Sequence, residues 1–163
     1  MRKIDSLRAA LEVAIPSLAK GPERLLIFID KGKVVFTAAK TPSFEYRYRA
    51  TIILQDFTAD EDLVFLALML WLRENNEWEL LQGYVAGDRD GISFEADVLD
   101  SDKVDLQIGI DLVERVVVTA TEGGGWTITH PPEPVLADDL GGAWPGFPLN
   151  QVTANGALIV PAE

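Results

Sequence analysis

The sequence contains no cysteine and a single histidine among its 163 residues. Without cysteine the chain can form no disulfide, zinc–thiolate site, iron–sulfur cluster or thiol nucleophile. A composition free of cysteine also fits a reducing cytoplasm. The lone histidine, His130, precedes Pro131-Pro132, and the sequence offers no partner that would predict a catalytic triad or a metal site. We interpret it as a surface or edge residue.

Long apolar runs are also scarce. The longest extends from Leu63 to Leu72, ten residues, which is about half of what a membrane-spanning helix needs. We interpret this run as a buried helix. The N-terminus begins Met1-Arg2-Lys3 but continues as an amphipathic segment, without the apolar region of a signal peptide. The sequence therefore predicts no association with a membrane.

Basic residues are few, and they are unevenly placed. The chain has 14 Lys and Arg against 26 Asp and Glu, a net charge of −12. Residues 1–50 hold ten basic and five acidic residues, whereas residues 51–163 hold four basic and 21 acidic ones. Stable nucleic-acid binding is disfavoured, because a phosphate track needs clustered Lys and Arg. The imbalance fits either a solvated acidic surface or a two-signed surface suited to head-to-tail self-association.

The apolar fraction of 48% is enough for a single hydrophobic core. Apolar residues at helical spacing predict a helix at the N-terminus. Asp5 or Ser6 can cap its start, and Pro16 predicts that it kinks or ends near Ala14.

Strands follow this helix. A compact apolar run predicts a strand at 24–30 and a second, short strand at 33–38, joined by a hairpin turn at Lys31-Gly32. Residues 44–57 alternate between apolar and polar side chains and predict one long strand. At the usual rise it would span ~46 Å, which exceeds the common strand length. We expect this strand to bend or to project beyond the sheet.

The next segment predicts a helix with a capping box, in which Thr58 is the N-cap and Glu61 lies three positions later. The helix extends to about Asn75. Its middle is apolar nearly all round, so it should lie buried on the sheet.

The second half of the chain predicts further strands. Residues 77–91 form a connection that includes a turn at 87–91, and strands follow at 92–99, 104–119 and 126–129. The second of these strands is again long. One of its faces carries apolar side chains, at Val104, Leu106, Ile108, Ile110, Leu112, Val116 and Val118.

Beyond His130 the chain is rich in proline and glycine, which predicts an extended C-terminal arm at 131–163 with one hairpin turn at Asn155-Gly156. Residues 1–130 then form one domain of the α+β class. We expect an antiparallel or mixed sheet with two long strands, packed by the N-terminal helix and the central apolar helix.

Four short patterns could carry chemistry, and each has a simpler structural interpretation. Asp88-x-Asp90-Gly91 lacks the remaining ligands of a calcium loop and predicts a turn. The carboxylates of residues 56–62 sit where a helix N-terminus favours negative charge. Gly123-Gly124-Gly125 precedes a strand rather than a helix, so it is a turn and not a phosphate loop. The Tyr and Arg residues of 46–49 fall on opposite faces of a strand, which disfavours base stacking. We predict no catalytic, cofactor-binding or metal-binding residue.

Seven short motifs together resemble the tail completion protein R family of temperate phages with contractile tails. They occur in the family's order over residues 5–120. The motifs are Asp5-Ser6-Leu7-Arg8, Leu26-x-Ile/Phe-x-Asp30 (LIFID at 26–30), Ser43-Phe44-Glu45-x-Arg47-Tyr48, Asp56-Phe57-Thr58-x-Asp60-x-Asp62-Leu63, Trp71-Leu72-Arg73-Glu74-Asn75, Gly91-x-x-Phe94-x-Ala96-Asp97 and Leu112-x-Glu114-Arg115.

The resemblance implies a structural role in virion assembly without catalysis or a cofactor. The protein would complete or cap the tail and make it competent for joining to the head. By analogy with tail terminators, it would act as a ring of identical subunits, a hexamer being one candidate size. Implied partners are tail tube and sheath proteins and head completion or neck proteins. The implied location is the virion tail, reached from the bacterial cytoplasm.

Two other functions stay open at this level. One is a different connector or neck protein, or another tube-associated assembly factor, and the other is a small hydrolase or metal-dependent enzyme. For a subunit interface, the sequence favours charged residues on the exposed face of the long strand and near two of the motifs. They are Glu45, Arg47, Arg49, Arg73, Glu74 and Arg115.

Overall fold

The computed structural model describes residues 1–37, 40–75, 77, 92–99, 102–131 and 152–159. The chain is α+β, as predicted. In chain order its elements are α1 (Arg2–Ala14), α2 (Pro16–Lys20), a 3-10 turn (Pro22–Arg24), β1 (Leu25–Phe36), β2 (Phe44–Phe57), α3 (Glu61–Glu74), β3 (Ile92–Val98), β4 (Val104–Ala120), β5 (Trp126–Thr129), β6 (Thr153–Ala154) and β7 (Ala157–Leu158).

The main sheet is antiparallel throughout its described strands. Its order is β1-β2-β4-β3, and β5 pairs with the far end of β4. The two long strands predicted from the sequence, β2 and β4, lie side by side at its centre. Each offers alternate side chains to each face, because successive residues of a strand point in opposite directions.

One face of the sheet is covered by α1 and α3, and the core lies between these two layers. Burying large aliphatic side chains here stabilises the fold by about 1.5–3 kcal/mol each. The face opposite carries mostly polar and charged side chains. The fully buried side chains of the core include Leu7, Leu11, Ile52, Leu54, Leu63, Leu68, Trp71, Leu72, Leu106 and Ile108.

The long strand β2 bends, as its length predicted. The register with β4 shifts between Leu54 and Phe57, and Asp56 within that bulge has φ of +50°. A bulge adds a residue to one strand and increases its local twist. The Asp56 amide donates to Asp105 Oδ1 at 2.8 Å, and its carboxylate pairs with Lys103 at 3.1 Å. These bonds hold the bend at the end of the strand nearest α3.

The hairpin predicted at Lys31-Gly32 is wrong, because β1 is a single strand of twelve residues. It pairs with β2 along its whole length, and the register slips by one residue at Asp30. The slip is a bulge that lets the strand continue past a Lys-Gly-Lys sequence. Gly32 is extended and lies opposite Tyr48. A long partner strand outweighed the local turn signal.

Both predicted helix N-caps are displaced. α1 begins at Arg2, with Met1 as its N-cap, and not at Asp5 or Ser6. α3 is capped by Asp60, whose Oδ1 accepts the amide of Asp62 at 2.9 Å, and not by Thr58. The aspartate lies closer to the first turn and its carboxylate also favours the helix dipole.

Other boundaries agree with the sequence. α1 ends at Ala14, and Pro16 starts α2, as proline at the first helical position allows. The hairpin at Asn155-Gly156 is confirmed, with φ of +50° and +83°, the left-handed values that a tight two-residue turn requires. Its flanking residues, Val152 and Ile159, pack against the core.

Some predictions lie outside the described residues. These are the connection at 77–91 apart from residue 77, its turn at 87–91, and most of the arm at 131–163. The division between domain and arm stays a prediction. None of the described helices is long and apolar enough to cross a membrane.

Candidate interaction surface

The sheet face opposite the helices, here called the open face, carries charged side chains that bond to one another. Glu45 on β2 is the centre of this network. Its Oε2 accepts from Arg47 Nη2 at 3.0 Å, and its Oε1 lies 3.6 Å from Arg115 Nε on β4. Arg47 and Arg115 are largely exposed, so each pair stabilises the fold only slightly. Their guanidinium groups remain accessible to a partner.

Arg49 lies across the same face. Its Nη1 donates to Asp111 Oδ1 at 3.3 Å, and its Nη2 donates to the Ser93 hydroxyl on β3. Gly109 makes room for this side chain, since a Cβ at that position would lie 2.5 Å from Arg49 Nη2. The arginine thus links β2, β4 and β3 on the open face.

The remaining two predicted interface residues are elsewhere. Arg73 and Glu74 lie in the last turn of α3, in the layer that covers the other face of the sheet. Burial raises the pKa of the Glu74 carboxyl above its ordinary value. The structure therefore brings Glu45, Arg47 and Arg49 together with Arg115, and separates them from the pair on α3.

Sequence reasoning missed a buried polar cluster beneath the N-terminus of α1. Glu114 is only 4% exposed. Its carboxylate accepts the amides of Arg2 at 3.1 Å and Lys3 at 3.3 Å, and also the Tyr48 hydroxyl. Glu114 therefore binds the free N–H groups that no side chain of α1 caps. Its position between Leu112 and Val116 predicts an inward side chain, and that was the available signal.

The phenol of Tyr48 acts as a donor in this cluster. Burial raises its pKa, and the hydrogen bond to the carboxylate of Glu114 raises the pKa further. The hydroxyl is therefore protonated at neutral pH and donates to Glu114. Lys3 forms a buried ion pair with Glu77, and Trp71 Nε1 donates to Ser6 Oγ at 3.0 Å. Together these bonds fix α1 to the sheet and to the end of α3.

A cavity of about 270 Å³ opens beside this cluster. Its lining combines the Glu114 carboxylate and the Asn75 amide with basic side chains, and it also includes His130. Within the part of the chain that the structure describes, no three His, Cys, Asp or Glu residues are grouped to hold a metal ion. The lining residues are Arg2, Lys3, Ser6, Asn75, Glu114, Arg115, His130 and Pro131.

Two of the carboxylates of 56–62 have structural partners. Asp60 caps α3, and Asp56 pairs with Lys103, so both are explained by the fold. The Tyr and Arg residues of 46–49 alternate between faces, with Tyr48 buried and Arg47 exposed. The aromatic rings therefore cannot share a stacking surface with the arginines.

Comparisons with known proteins identify the family of this chain. The chain is 37% identical over 139 residues to the "Tail completion protein R" of Escherichia phage P2, covering 83% of this chain and 88% of that protein. No solved structure matches the chain. The family model described as "P2 phage tail completion protein R (GpR)" matches residues 1–134. This match spans α1, the whole main sheet and α3, and the chain belongs to the P2 phage tail completion protein R family.

Proposed function

We propose that this protein is a non-enzymatic structural subunit that completes the tail of a contractile-tailed phage and makes it competent to join the head. The observation that carries this proposal is the family match over residues 1–134, which includes every element of the main sheet. The named relative is a tail completion protein of a phage. The protein would enter the virion tail from the bacterial cytoplasm.

We further propose that it acts as a ring of identical subunits. Its partners would be tail tube and sheath proteins on one side and head completion or neck proteins on the other. The open face supports this, because Arg47 and Arg115 present exposed guanidinium groups anchored by Glu45. Arg49 belongs to the same proposed surface. Arg73 and Glu74 would contact a partner from the helix layer.

The charge distribution also supports a ring through which DNA passes. Residues 51–163 carry 21 acidic and four basic residues. An acidic lumen repels the phosphate backbone, so DNA would slide without being retained. The boundary at residue 130 is likewise proposed, since the family match ends nearby at residue 134. The segment beyond it would be an addition to the tail completion domain.

Deletion of this gene in a phage or prophage that carries it tests the function. We expect full heads and unjoined tails by electron microscopy, with few infectious particles, and restoration by the wild-type gene from a plasmid. Complementation with Arg47→Glu tests whether the open face takes part in assembly. Complementation with Lys20→Glu, at an exposed helix residue outside the open face, is the matched control. Normal titres from the deletion phage would refute the proposal.

The location of the protein separates the two assembly functions. Tagged protein should be found at the head-proximal end of tails purified from a mutant that makes no heads. If the tag appears only on heads from a tail-less mutant, the protein is a head connector instead. Native mass measurement on the purified protein and on tails then gives the number of subunits.

A further inference from the structure

The main sheet ends in two strands that have no further partner among the described residues, β1 on one side and β3 on the other. Both are exposed. Val34 on β1 is 66% exposed, and Phe94 on β3 is 61% exposed. Proteins that stay monomeric usually keep edge strands short or cover them, because free N–H and C=O groups recruit other strands. Here the edges are twelve and seven residues long.

The two edges carry opposite charge on the same face. Lys31 and Lys33 lie on the open face of β1, in register with Arg49 and Arg47 of β2. Glu95 and Asp97 of β3 lie on this face as well, opposite Gln107 and Asp105 of β4. Each pair of like charges is spaced by two residues. One edge is therefore a basic ladder, and the other is an acidic ladder with the same spacing.

Strand direction allows these edges to meet. The order β1-β2-β4-β3 is antiparallel at every step, so β3 runs opposite to β1. When a second copy is placed beside the first by rotation, its β1 lies antiparallel to the first copy's β3. The same operation repeats from copy to copy, as a head-to-tail ring requires.

We propose that β3 of one copy pairs with β1 of the next, with Lys33 opposite Glu95 and Lys31 opposite Asp97. This inference rests on the proposed ring and says which surfaces close it. In this register residues 92–97 of β3 face residues 31–36 of β1, which lie beyond the bulge at Asp30. On the helix side, the exposed side chains of Val34 and Phe36 then lie opposite Phe94 and Ile92.

Backbone hydrogen bonding fits this register. The Thr37 amide donates to Ser43 at 3.2 Å, which extends the β1–β2 pairing, so odd-numbered residues of this half of β1 bond inward. The Leu99 amide donates to Lys103 at 3.0 Å, so odd-numbered residues of β3 also bond inward. Even-numbered residues of both strands therefore direct their backbone groups outward. The proposed register pairs even residues with even residues throughout.

The charges also oppose wrong pairings. Two β1 edges would bring Lys33 and Lys31 against lysines, and two β3 edges would bring Glu95 and Asp97 against carboxylates. Like charges directly opposite in a sheet are destabilising. Only the pairing of unlike edges joins opposite charges, so the ladders favour a ring of one polarity over symmetric edge-to-edge dimers.

A charge exchange tests the proposal on the full chain. Lys33→Glu and Glu95→Lys should each lower the association constant about tenfold, because each turns an attractive cross-strand pair into a repulsive one. The double variant should recover most of the wild-type association. Lys20→Glu and Glu122→Lys, exposed and away from both edges, match the charge changes and should have no such effect. Native mass and sedimentation measure association, and thermal unfolding verifies that each variant folds.

Single cysteines provide a second measurement in this cysteine-free chain. A non-hydrogen-bonded antiparallel pair has Cα atoms about 4.5 Å apart, within disulfide reach. Lys33→Cys mixed with Glu95→Cys should therefore give disulfide-linked dimers of the two variants on oxidation. Either variant alone should give few. Lys33→Cys mixed with Asp97→Cys, which is offset by two residues, should cross-link several-fold less.

Each outcome decides the proposal. Recovery in the double variant with selective cross-linking of the 33–95 mixture supports it. If the ring forms normally in the charge variants and the 33–95 mixture does not cross-link, this inference is overturned and the tail completion function still stands. Protein that stays monomeric in solution and on tails overturns the ring and the edge pairing together. Cross-linking only to a different tail protein also overturns the pairing between copies.

Discussion

Two neighbouring strands of the sheet share the same alternating pattern but differ in how far their apolar side chains are buried. Ile108 of β4 is fully buried, whereas its cross-strand neighbour Phe94 of β3 is 61% exposed on the same face. Both are large and apolar, and both strands alternate. The helices bury the centre of the sheet, whereas at the β3 edge Phe94 touches the helix layer by an edge-to-face ring contact with Phe65 of α3 and remains largely exposed. Alternation therefore determines which face a side chain occupies, and not whether another layer covers it.

The largest expected effect is at the covered centre. Leu68→Ala, on the buried side of α3, should lower the free energy of unfolding by about 2–5 kcal/mol, since it removes buried methyl groups and leaves a cavity. Val34→Ala, at the uncovered edge, should cost less than about 0.5 kcal/mol at a concentration where the protein is monomeric. Urea denaturation of both variants measures the difference. Equal costs would mean that the edge is covered in solution.

The next effect concerns the buried carboxylate that joins the layers. Glu114→Ala should lower the free energy of unfolding by about 3 kcal/mol, because it leaves the amides of Arg2 and Lys3 and the Tyr48 hydroxyl without their acceptor. Glu114→Gln retains an acceptor oxygen and should cost less. Chemical denaturation compares them. Arg115→Ala, on the adjacent open face, is the control and should change stability by at most about 1 kcal/mol.

These sites show what the sequence could predict. The bounds of β2 and the C-terminal end of α3 followed from local alternation and apolar periodicity, which nearby residues specify. The continuity of β1 did not, because only its pairing with the fourteen-residue strand β2 shows that Lys31-Gly32 is extended. Glu114 was on the predicted inward face by position. Its role depends on the helix N-terminus more than 100 residues away in sequence, which no local pattern contains.

The open-face network was half predictable for the same reason. The alternation of β2 placed Glu45, Arg47 and Arg49 on one face. Pairing with β4 then determines that Arg115 lies beside Glu45, and that register is a tertiary property. The motif residues of α3 were grouped with them only by sequence resemblance. They lie on the far side of the sheet because a helix layer covers one face alone.

A smaller effect on stability is expected when the Tyr48 phenol loses its hydrogen bond to Glu114. Tyr48→Phe should cost about 1.5–2 kcal/mol at neutral pH, since it removes a hydrogen bond to a charged acceptor. The pKa of Tyr48 is raised above its ordinary value of 10.0 in the folded protein. The unfolded chain therefore loses this proton first, so the contribution of Tyr48 is present below about pH 10 and declines as pH rises further.

Alkaline denaturation tests the direction of this pH dependence. The stability difference between wild type and Tyr48→Phe should be constant up to about pH 10 and shrink above it. Tyr46→Phe, at a half-buried position on the same strand face, is the matched control for removal of a phenol hydroxyl. A stability difference that grows with pH would contradict the buried position of the Tyr48 hydroxyl.

The smallest effect on stability is expected at the N-terminus of α3. Asp60→Ala should lower the free energy of unfolding by about 1 kcal/mol, because the Asp62 amide loses its side-chain acceptor and the helix dipole loses a nearby negative charge. Thr58→Ala removes the residue that the sequence pattern favoured as the cap, and it should cost almost nothing. Urea denaturation at neutral pH compares the two. A larger loss for Thr58→Ala would place the start of α3 earlier, and high salt should reduce only the cost at Asp60.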